Sequence, residues 1–183
     1  MDQISTLIKG IDPLDKLEVE HQKRALDWVA SGADLFRLQP PNVPPMHLIS
    51  YFVPIDPVRR QILLVDHKKA GLWLPPGGHI DEGEHPKEAA SREMEEELFT
   101  KASFLLEEPI MLTIVEHVNK IPGHTDVALW YVVEGDSQKE YTFDPREFYQ
   151  IQWFPIEEAP KKEVEPDLPR FFEKLNKVLE APC

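Results

Sequence analysis

Apolar residues in the middle of the chain fall into short runs rich in β-branched and aromatic side chains, a composition typical of β-strands. Clusters of turn-forming residues separate these runs. We therefore predict strands at residues 47–55, 61–67, 110–118, 126–134 and 150–155. Asp56 and Pro57 lie between the first two runs, so the first two strands are expected to form a β-hairpin.

Helical spacing of apolar residues occurs near both ends of the chain and once in the middle. It predicts helices at residues 13–31, 86–98 and 168–179. Gly32 is a natural stop for the first helix, and Pro86 suits the first turn of the second.

Paired prolines at 40–41 and 44–45 favour an extended connector and disfavour helix. We therefore expect residues 1–45 to form an N-terminal helix and connector, and residues 46–183 to form the main domain with a closing C-terminal helix. The order of strands and helices predicts an α/β (α+β) fold, with a mixed β-sheet between helices on both faces and an appended N-terminal helix.

Acidic residues outnumber basic ones, with 33 Asp and Glu against 20 Lys and Arg, which gives a formal net charge of -13. Because a surface of this sign repels polyanions at long range, neither long nucleic acid nor a membrane is an expected partner. Hydrophobic residues make up 42% of the chain, which excludes the disordered and fibrous classes.

Three features favour a cytoplasmic location. Cys183 is the only cysteine, so no intramolecular disulfide can form. The opening residues lack the basic and apolar regions of a signal peptide. No window of the sequence approaches about 18 uninterrupted apolar residues, as a membrane-spanning helix would.

Three glutamates of the predicted 86–98 helix share one face. At about 100° per residue, Glu96 lies near -60° and Glu97 near +40° from Glu93. Like charges at this spacing destabilise a helix by about 0.2–0.5 kcal/mol per pair. A solvated acidic surface would explain the pattern. A hard divalent cation such as Mg2+ would also explain it, because Mg2+ takes oxygen ligands and bridges carboxylates to phosphates.

The segment before the acidic helix is rich in glycine. Gly77 and Gly78 predict a tight turn through which the backbone can approach a ligand closely. Six glycine or charged positions then follow a fixed spacing: Gly78, Glu84, Arg92, Glu93, Glu96 and Glu97.

This spacing resembles the Nudix box, G-x5-E-x7-R-E-U-x-E-E-x-G-U, in which U is a bulky aliphatic residue. The final glycine of the box, a helix stop of positive φ, is replaced here by Phe99, and the aliphatic residue after it by Thr100. This departure affects the exit from the helix and removes no charged residue of the box.

The resemblance implies a Nudix-like α/β/α sandwich that binds Mg2+ or Mn2+. By this likeness the carboxylates of Glu93, Glu96 and Glu97 would hold the metal, with the carbonyl of Gly77 as a further ligand. Two further residues, Arg92 and Glu84, would brace the loop and the helix so that the ligands are aimed correctly.

The resemblance also implies a hydrolase acting on acid anhydrides, in which a metal-activated water attacks a phosphorus of a nucleoside diphosphate linked to a group X. A carboxylate must accept the proton of that water. Glu93 is the first choice for this base, and Glu140 and Glu147 are reserves. The subclass marks of ADP-ribose and diadenosine polyphosphate hydrolases are missing, which leaves nucleoside triphosphates, oxidised ones included, as the leading substrates.

Several residues near the box are candidates for binding the substrate. Trp73 suits either stacking on a base or packing in the core. The side chains of Lys68, Lys69 and His79 suit either phosphate oxygens or solvent.

A polar run farther along the chain suits either a turn between strands or the reading of a nucleobase edge: His117, Asn119, Lys120, His124, Thr125 and Asp126. Histidine is a poor ligand for a hard cation, so no metal role is expected for these histidines.

Two functions follow from these residues. The first is an Mg2+-dependent pyrophosphohydrolase of small nucleotides, and the second is a catalytically silent module that binds a nucleotide or a partner. A homodimer formed through the N-terminal helix is a further hypothesis.

Overall fold

The computed structural model describes residues 3–40, 43–117, 123–158 and 163–180. The helices are α1 (Gln3–Gly10), α2 (Lys16–Ala30), α3 (Pro86–Leu98) and α4 (Leu168–Glu180), with a 3-10 turn at Ile156–Glu158. The strands are β1 (Met46–Asp56), β2 (Gln61–His67), β3 (Leu72–Leu74), β4 (Gly77–His79), β5 (Met111–Glu116), β6 (Thr125–Glu134) and β7 (Phe148–Pro155). In this part of the chain, no helix has the length and apolar character needed to cross a membrane.

One mixed sheet contains all seven strands. Its main path runs β3-β2-β1-β6-β5, with β4 added to β1 and β7 added to β2. The pairing of β1 with β6 is parallel over ten residue pairs, from Met46 opposite Thr125 to Ile55 opposite Glu134, and the other pairings are antiparallel. The predicted hairpin is confirmed by the antiparallel pairing of Ile55 with Ile62.

Helices cover both faces of this sheet, which confirms the predicted fold class. Strand alternation directs Leu48 and Phe52 of β1 into a core that also contains buried residues of α1, α2 and α3. Residues of the opposite parity, such as Ile49 and Val53, enter a second core closed by Phe171 and other residues of α4.

The N-terminal region contains two helices where one was predicted. The helix predicted at 13–31 begins at Lys16 because the side chain of Asp15 caps it by accepting from the N–H of Glu18 at 2.9 Å. The eight-residue α1 was missed because a segment so short carries little periodic signal. Buried Ile8 and Ala25 place both helices in the core of the same chain. Dimerisation through this region stays a prediction.

Helix α2 also protects the outer edge of β5. The backbone N–H of Leu112 donates to Glu18 Oε1 at 3.1 Å, and that of Ile114 donates to His21 Nδ1 at 3.3 Å. An exposed strand edge invites pairing with another chain. Two side chains of α2 therefore satisfy two backbone donors on the outer edge of β5.

Phe99 ends α3 in the manner of the glycine that it replaces. Its backbone is left-handed, with φ 50° and ψ 34°, and its N–H donates to the carbonyl of Met94. The helix exit left open by the sequence is therefore a left-handed C-terminal cap formed by a non-glycine residue.

Replacing Phe99 by glycine is expected to preserve or raise the free energy of unfolding, by up to about 1 kcal/mol. The left-handed conformation costs a non-glycine residue roughly 1–2 kcal/mol, and the 61% exposed ring loses little packing. Urea denaturation measures the change. Phe99→Val, which is β-branched, should lower stability at the same position. A loss of more than about 1 kcal/mol in Phe99→Gly would contradict the strain argument.

Candidate active site

The two box glycines lie on the short strand β4, so the predicted tight turn is wrong. Gly78 pairs with Ser50 of β1 and Gly77 with Tyr51. Glycine is nevertheless required: at Gly77 φ is +147°, and an added Cβ would lie 2.2 Å from the carbonyl oxygen of Ser50. At Gly78, an added Cβ would lie 2.4 Å from Glu93 Oε1. The first glycine therefore serves the strand pairing, and the second admits a carboxylate.

Helix α3 is fixed firmly beside this strand. His85 caps it by accepting from the N–H of Lys87 at 3.1 Å, with Glu88 completing a capping box and Pro86 in the first turn. The Oγ of Ser50 donates to the carbonyl of Pro86 at 2.9 Å. The apolar face of the helix is buried through Ala89, Ala90, Met94 and Leu98. The acidic face is therefore held in a fixed orientation to β4.

The three carboxylates differ in exposure. Glu97 is buried, and its Oε2 accepts from the N–H of Gly77 at 3.0 Å. The side chain of Glu93 is 14% exposed and touches the space at Gly78, whereas that of Glu96 is 62% exposed. The cluster thus has two inner carboxylates against the strand and one outer carboxylate facing solvent.

Arg92 holds this cluster to the loop before the helix. Its Nε and Nη2 donate to the two carboxylate oxygens of Glu84, both at 2.9 Å, and Nη2 also donates to the carbonyl of His79 at 3.0 Å. Its Nη1 donates to Glu93 Oε1 at 2.7 Å. A bidentate pair of this kind fixes both distance and orientation. Arg92 therefore joins Glu93 to Glu84 and to the backbone of β4, and the bracing role implied for Arg92 and Glu84 stays a prediction.

The two inner carboxylates resist ionisation. Burial, followed by the charge of Glu93, raises the pKa of Glu97 to about 9. Burial also raises the pKa of Glu93, against the hydrogen bond from Arg92. For Glu84, burial is outweighed by hydrogen bonds from Arg92 and the N–H of Asp81, so its pKa is lowered. A cation would offset the cost of charging Glu93 and Glu97 together.

The polar loop after β6 reaches the same region. The N–H of Asp144 donates to the carbonyl of Glu97 at 2.8 Å, and the carboxylate of Glu147 pairs with Lys69 Nζ at 3.0 Å. The charge of Glu147 contributes to the raised pKa of Glu97, so Glu147 lies near the cluster. Glu140 is exposed, and no hydrogen bond or ion pair joins it to the three glutamates within the described residues.

The predicted substrate residues occupy different surroundings. Trp73 is half-buried on β3, with its ring 5.1 Å from that of Phe154 in an edge contact. The Nζ of Lys68 donates to the carbonyl of Pro145. The ring of His79 faces His47, with the two Nε2 atoms 3.1 Å apart. Of the polar run, Asn119 and Lys120 lie outside the described residues. The substrate roles of Trp73, Lys68 and His79 stay predictions.

Comparison with known proteins decides the family. The NUDIX domain profile matches residues 46–175, which span β1 to the middle of α4. The chain belongs to the NUDIX family. The resemblance found in the box is thereby confirmed.

Relatives of this NUDIX chain include named hydrolases. The RNA pyrophosphohydrolase of Brucella anthropi is 35% identical over 49% of this chain and 60% of its own length. Nudix hydrolase 25 of Arabidopsis thaliana is 31% identical over 57% of this chain and 70% of its own length. The chain thus spans less than two thirds of the first relative.

Solved structures show the same fold. The MutT NUDIX hydrolase of Burkholderia pseudomallei is 25% identical and superposes with a TM-score of 0.54. That match covers 71% of this chain and 98% of the other.

Proposed function

We propose that the protein is an Mg2+-dependent NUDIX pyrophosphohydrolase. It would cleave a phosphoanhydride of a nucleoside triphosphate, oxidised ones included, or of a related nucleoside diphosphate linked to a group X. The observation that carries the proposal is the pair of inner carboxylates, buried Glu97 and 14% exposed Glu93, which lie against glycine-rich β4, with Glu93 held by Arg92. Burial of two mutually repelling carboxylates is costly unless a cation joins them.

The donor set suits a hard divalent cation. Glu93, Glu96 and Glu97 offer only oxygen atoms, and the carbonyl of Gly77 would add another, a combination that favours Mg2+ or Mn2+ over softer metals. When bound, the metal would lower the pKa of a water molecule and neutralise phosphate oxygens. It would also let an acidic protein hold a polyanionic substrate.

Side chains of the protein would supply the general base and hold it in position. Glu93 would accept the proton of the attacking water, because burial raises its pKa and makes the carboxylate a stronger base. The bidentate Arg92–Glu84 pair would keep Glu93 in position. Glu147 is the reserve base that lies near the cluster, and Glu140 has no such support.

Metal dependence and substrate are tested together with a hydrolysis panel. It contains nucleoside triphosphates, oxidised nucleotides, nucleotide sugars, dinucleoside polyphosphates and, because one relative is an RNA pyrophosphohydrolase, RNA with a 5′-triphosphate. At least one should be cleaved about a hundredfold or more faster with Mg2+ than with chelator. The readout is release of phosphate or pyrophosphate. Binding without turnover across the whole panel would instead support the silent module.

A further inference from the structure

Four histidines surround one aspartate at the end of the sheet where β1 and β6 begin. His47 on β1 is the parallel partner of Asp126 on β6, and His79 on β4 pairs with Ile49, two residues from His47. Strand alternation places these three side chains on one face of the sheet. His117 and His124 reach the same carboxylate from the connection between β5 and β6.

Three potential metal-ligand atoms of this cluster lie close together. The Nε2 of His47 lies 3.1 Å from the Nε2 of His79 and 3.2 Å from Oδ1 of Asp126. The His47 side chain is fully buried, and that of Asp126 is 15% exposed. These three residues form one of two groups whose ligand atoms all lie within 4.8 Å of one another. Their separations are close to those of ligands that share one metal ion with bonds of about 2.0–2.2 Å.

The hydrogen bonds of His47 fix which of its nitrogens can act as a ligand. Its Nδ1 lies 2.9 Å from the carbonyl oxygen of Pro44, which can only accept, so Nδ1 carries the proton. In a neutral ring, Nε2 then presents a lone pair towards Asp126 Oδ1. That oxygen is buried and accepts no directed hydrogen bond within the described residues. This contact is favourable only when the two atoms share a cation, which is either a proton that turns His47 into a donor to Asp126 or a metal ion.

The other carboxylate oxygen is held separately. Oδ2 of Asp126 lies 3.0 Å from Nε2 of His117 and 3.5 Å from Nε2 of His124. The rings of these two histidines stack with centroids 4.4 Å apart. They orient the carboxylate so that Oδ1 points at His47, as the outer partners of metal ligands commonly do.

We propose that His47, His79 and Asp126 form a binding site for a transition-metal ion of the Zn2+ class. Two imidazoles and one carboxylate suit such a borderline cation, whereas a hard cation prefers oxygen alone. Three protein ligands leave a fourth position open for water. Neither group of potential ligands includes Glu93, Glu96 or Glu97, so the proposed site uses no carboxylate of α3.

A metal bound at this site would also stabilise β4. It joins β1, β4 and β6 at one end of the sheet. Strand β4 also contains Gly77 and Gly78, which lie against the carboxylate cluster of α3. The carbonyl of His79 accepts from Arg92. A metal bound to His79 would therefore steady the strand against which Glu93 and Glu97 lie.

The test uses the full chain without a polyhistidine tag, stripped by chelator and kept in excess Mg2+ to occupy the carboxylates. Co2+ is added as a visible probe, and Zn2+ as a competitor. We expect one equivalent of Co2+ to produce ligand-field bands that Zn2+ abolishes. X-ray absorption of the Zn2+-loaded protein should show scattering from two imidazoles. Absence of stoichiometric binding would overturn the proposal and leave a proton on His47 as the partner of Asp126.

Variants assign the ligands. His79→Gln and Asp126→Asn should each weaken Co2+ binding about tenfold or more, whereas His85→Asn, which keeps a good helix cap, should not. Loss of binding in Glu97→Gln, or unchanged binding in His79→Gln, would overturn the assignment. Circular dichroism checks that each variant is folded, and if a ligand variant is not, the imidazole scattering of the wild-type protein decides.

Discussion

Glu97→Gln is expected to lower kcat/KM of the proposed Mg2+-dependent hydrolysis about a thousandfold, which corresponds to a loss of about 4 kcal/mol of transition-state stabilisation. The substitution removes one carboxylate ligand from the inner pair, Glu93 and Glu97. The fold should persist, because the amide oxygen of glutamine can still accept from the N–H of Gly77. Initial rates measured against Mg2+ concentration should show that the variant needs more metal as well as turning over more slowly.

Glu95→Gln is the matched control for this change. Glu95 lies on the same helix, is exposed, and has no hydrogen bond or ion pair with the cluster in the described part of the chain. The hydrolytic activity of the Glu95→Gln variant should remain close to that of the wild-type protein. Full activity in a Glu96→Gln/Glu97→Gln double variant would refute the metal role of this face.

Gly78→Ala tests the same site without changing a charge. The added methyl group would come within 2.4 Å of the end of the flexible Glu93 side chain, so the carboxylate must move while the backbone can stay. A displacement of about 1 Å costs about a hundredfold in rate at a well-positioned catalytic group. Gly10→Ala, with no atom within 4 Å of the added carbon, is the control. Unchanged activity in Gly78→Ala would show that the position of Glu93 is unimportant.

Most of the correct predictions from the sequence depend on patterns that extend over only a few residues. The acidic face of α3 follows from helical spacing within a few residues, and the strands follow from apolar runs bounded by turns. The assignment of Gly77 and Gly78 to a turn was wrong because a glycine pair resembles a turn by composition. Its pairing with β1 depends on a strand far away in sequence.

The histidine cluster shows a second limit. The sequence predicts no metal role for His117 and His124, because a hard cation prefers oxygen ligands to histidine. His47 and Asp126 become neighbours only through the parallel pairing of β1 and β6, which no local pattern reveals. Contacts that join distant segments must therefore be read from the structure.

Glu18→Ala is expected to lower the free energy of unfolding by about 3–5 kcal/mol, a large part of the roughly 5–15 kcal/mol typical of a domain. Glu18 is fully buried, and its Oε1 accepts from Lys174 Nζ at 2.6 Å and from the N–H of Leu112 at 3.1 Å. Its Oε2 accepts from the N–H of Leu14 at 2.8 Å. One side chain thus ties α2 to α4 and to the edge of β5, across 156 residues of sequence in the case of Lys174.

The loss is large because the partner is left buried. Burial lowers the pKa of Lys174, and Glu18 acts against that shift by stabilising the charged ammonium. Without Glu18, the ammonium and the N–H of Leu112 are left in the core without a partner. A Glu18→Gln/Lys174→Met double variant keeps an acceptor for Leu112 and removes both charges, so it should cost less than Glu18→Ala alone.

Glu173→Ala, next to Lys174 on α4, provides the comparison. Its pair with Lys177 spans 2.9 Å, but both side chains are more than 60% exposed. Such a pair contributes about 0–1 kcal/mol because water screens it. Urea denaturation of the three variants and the wild-type protein separates these cases. If Glu18→Ala costs no more than Glu173→Ala, the buried pair does not hold α2, α4 and β5 together.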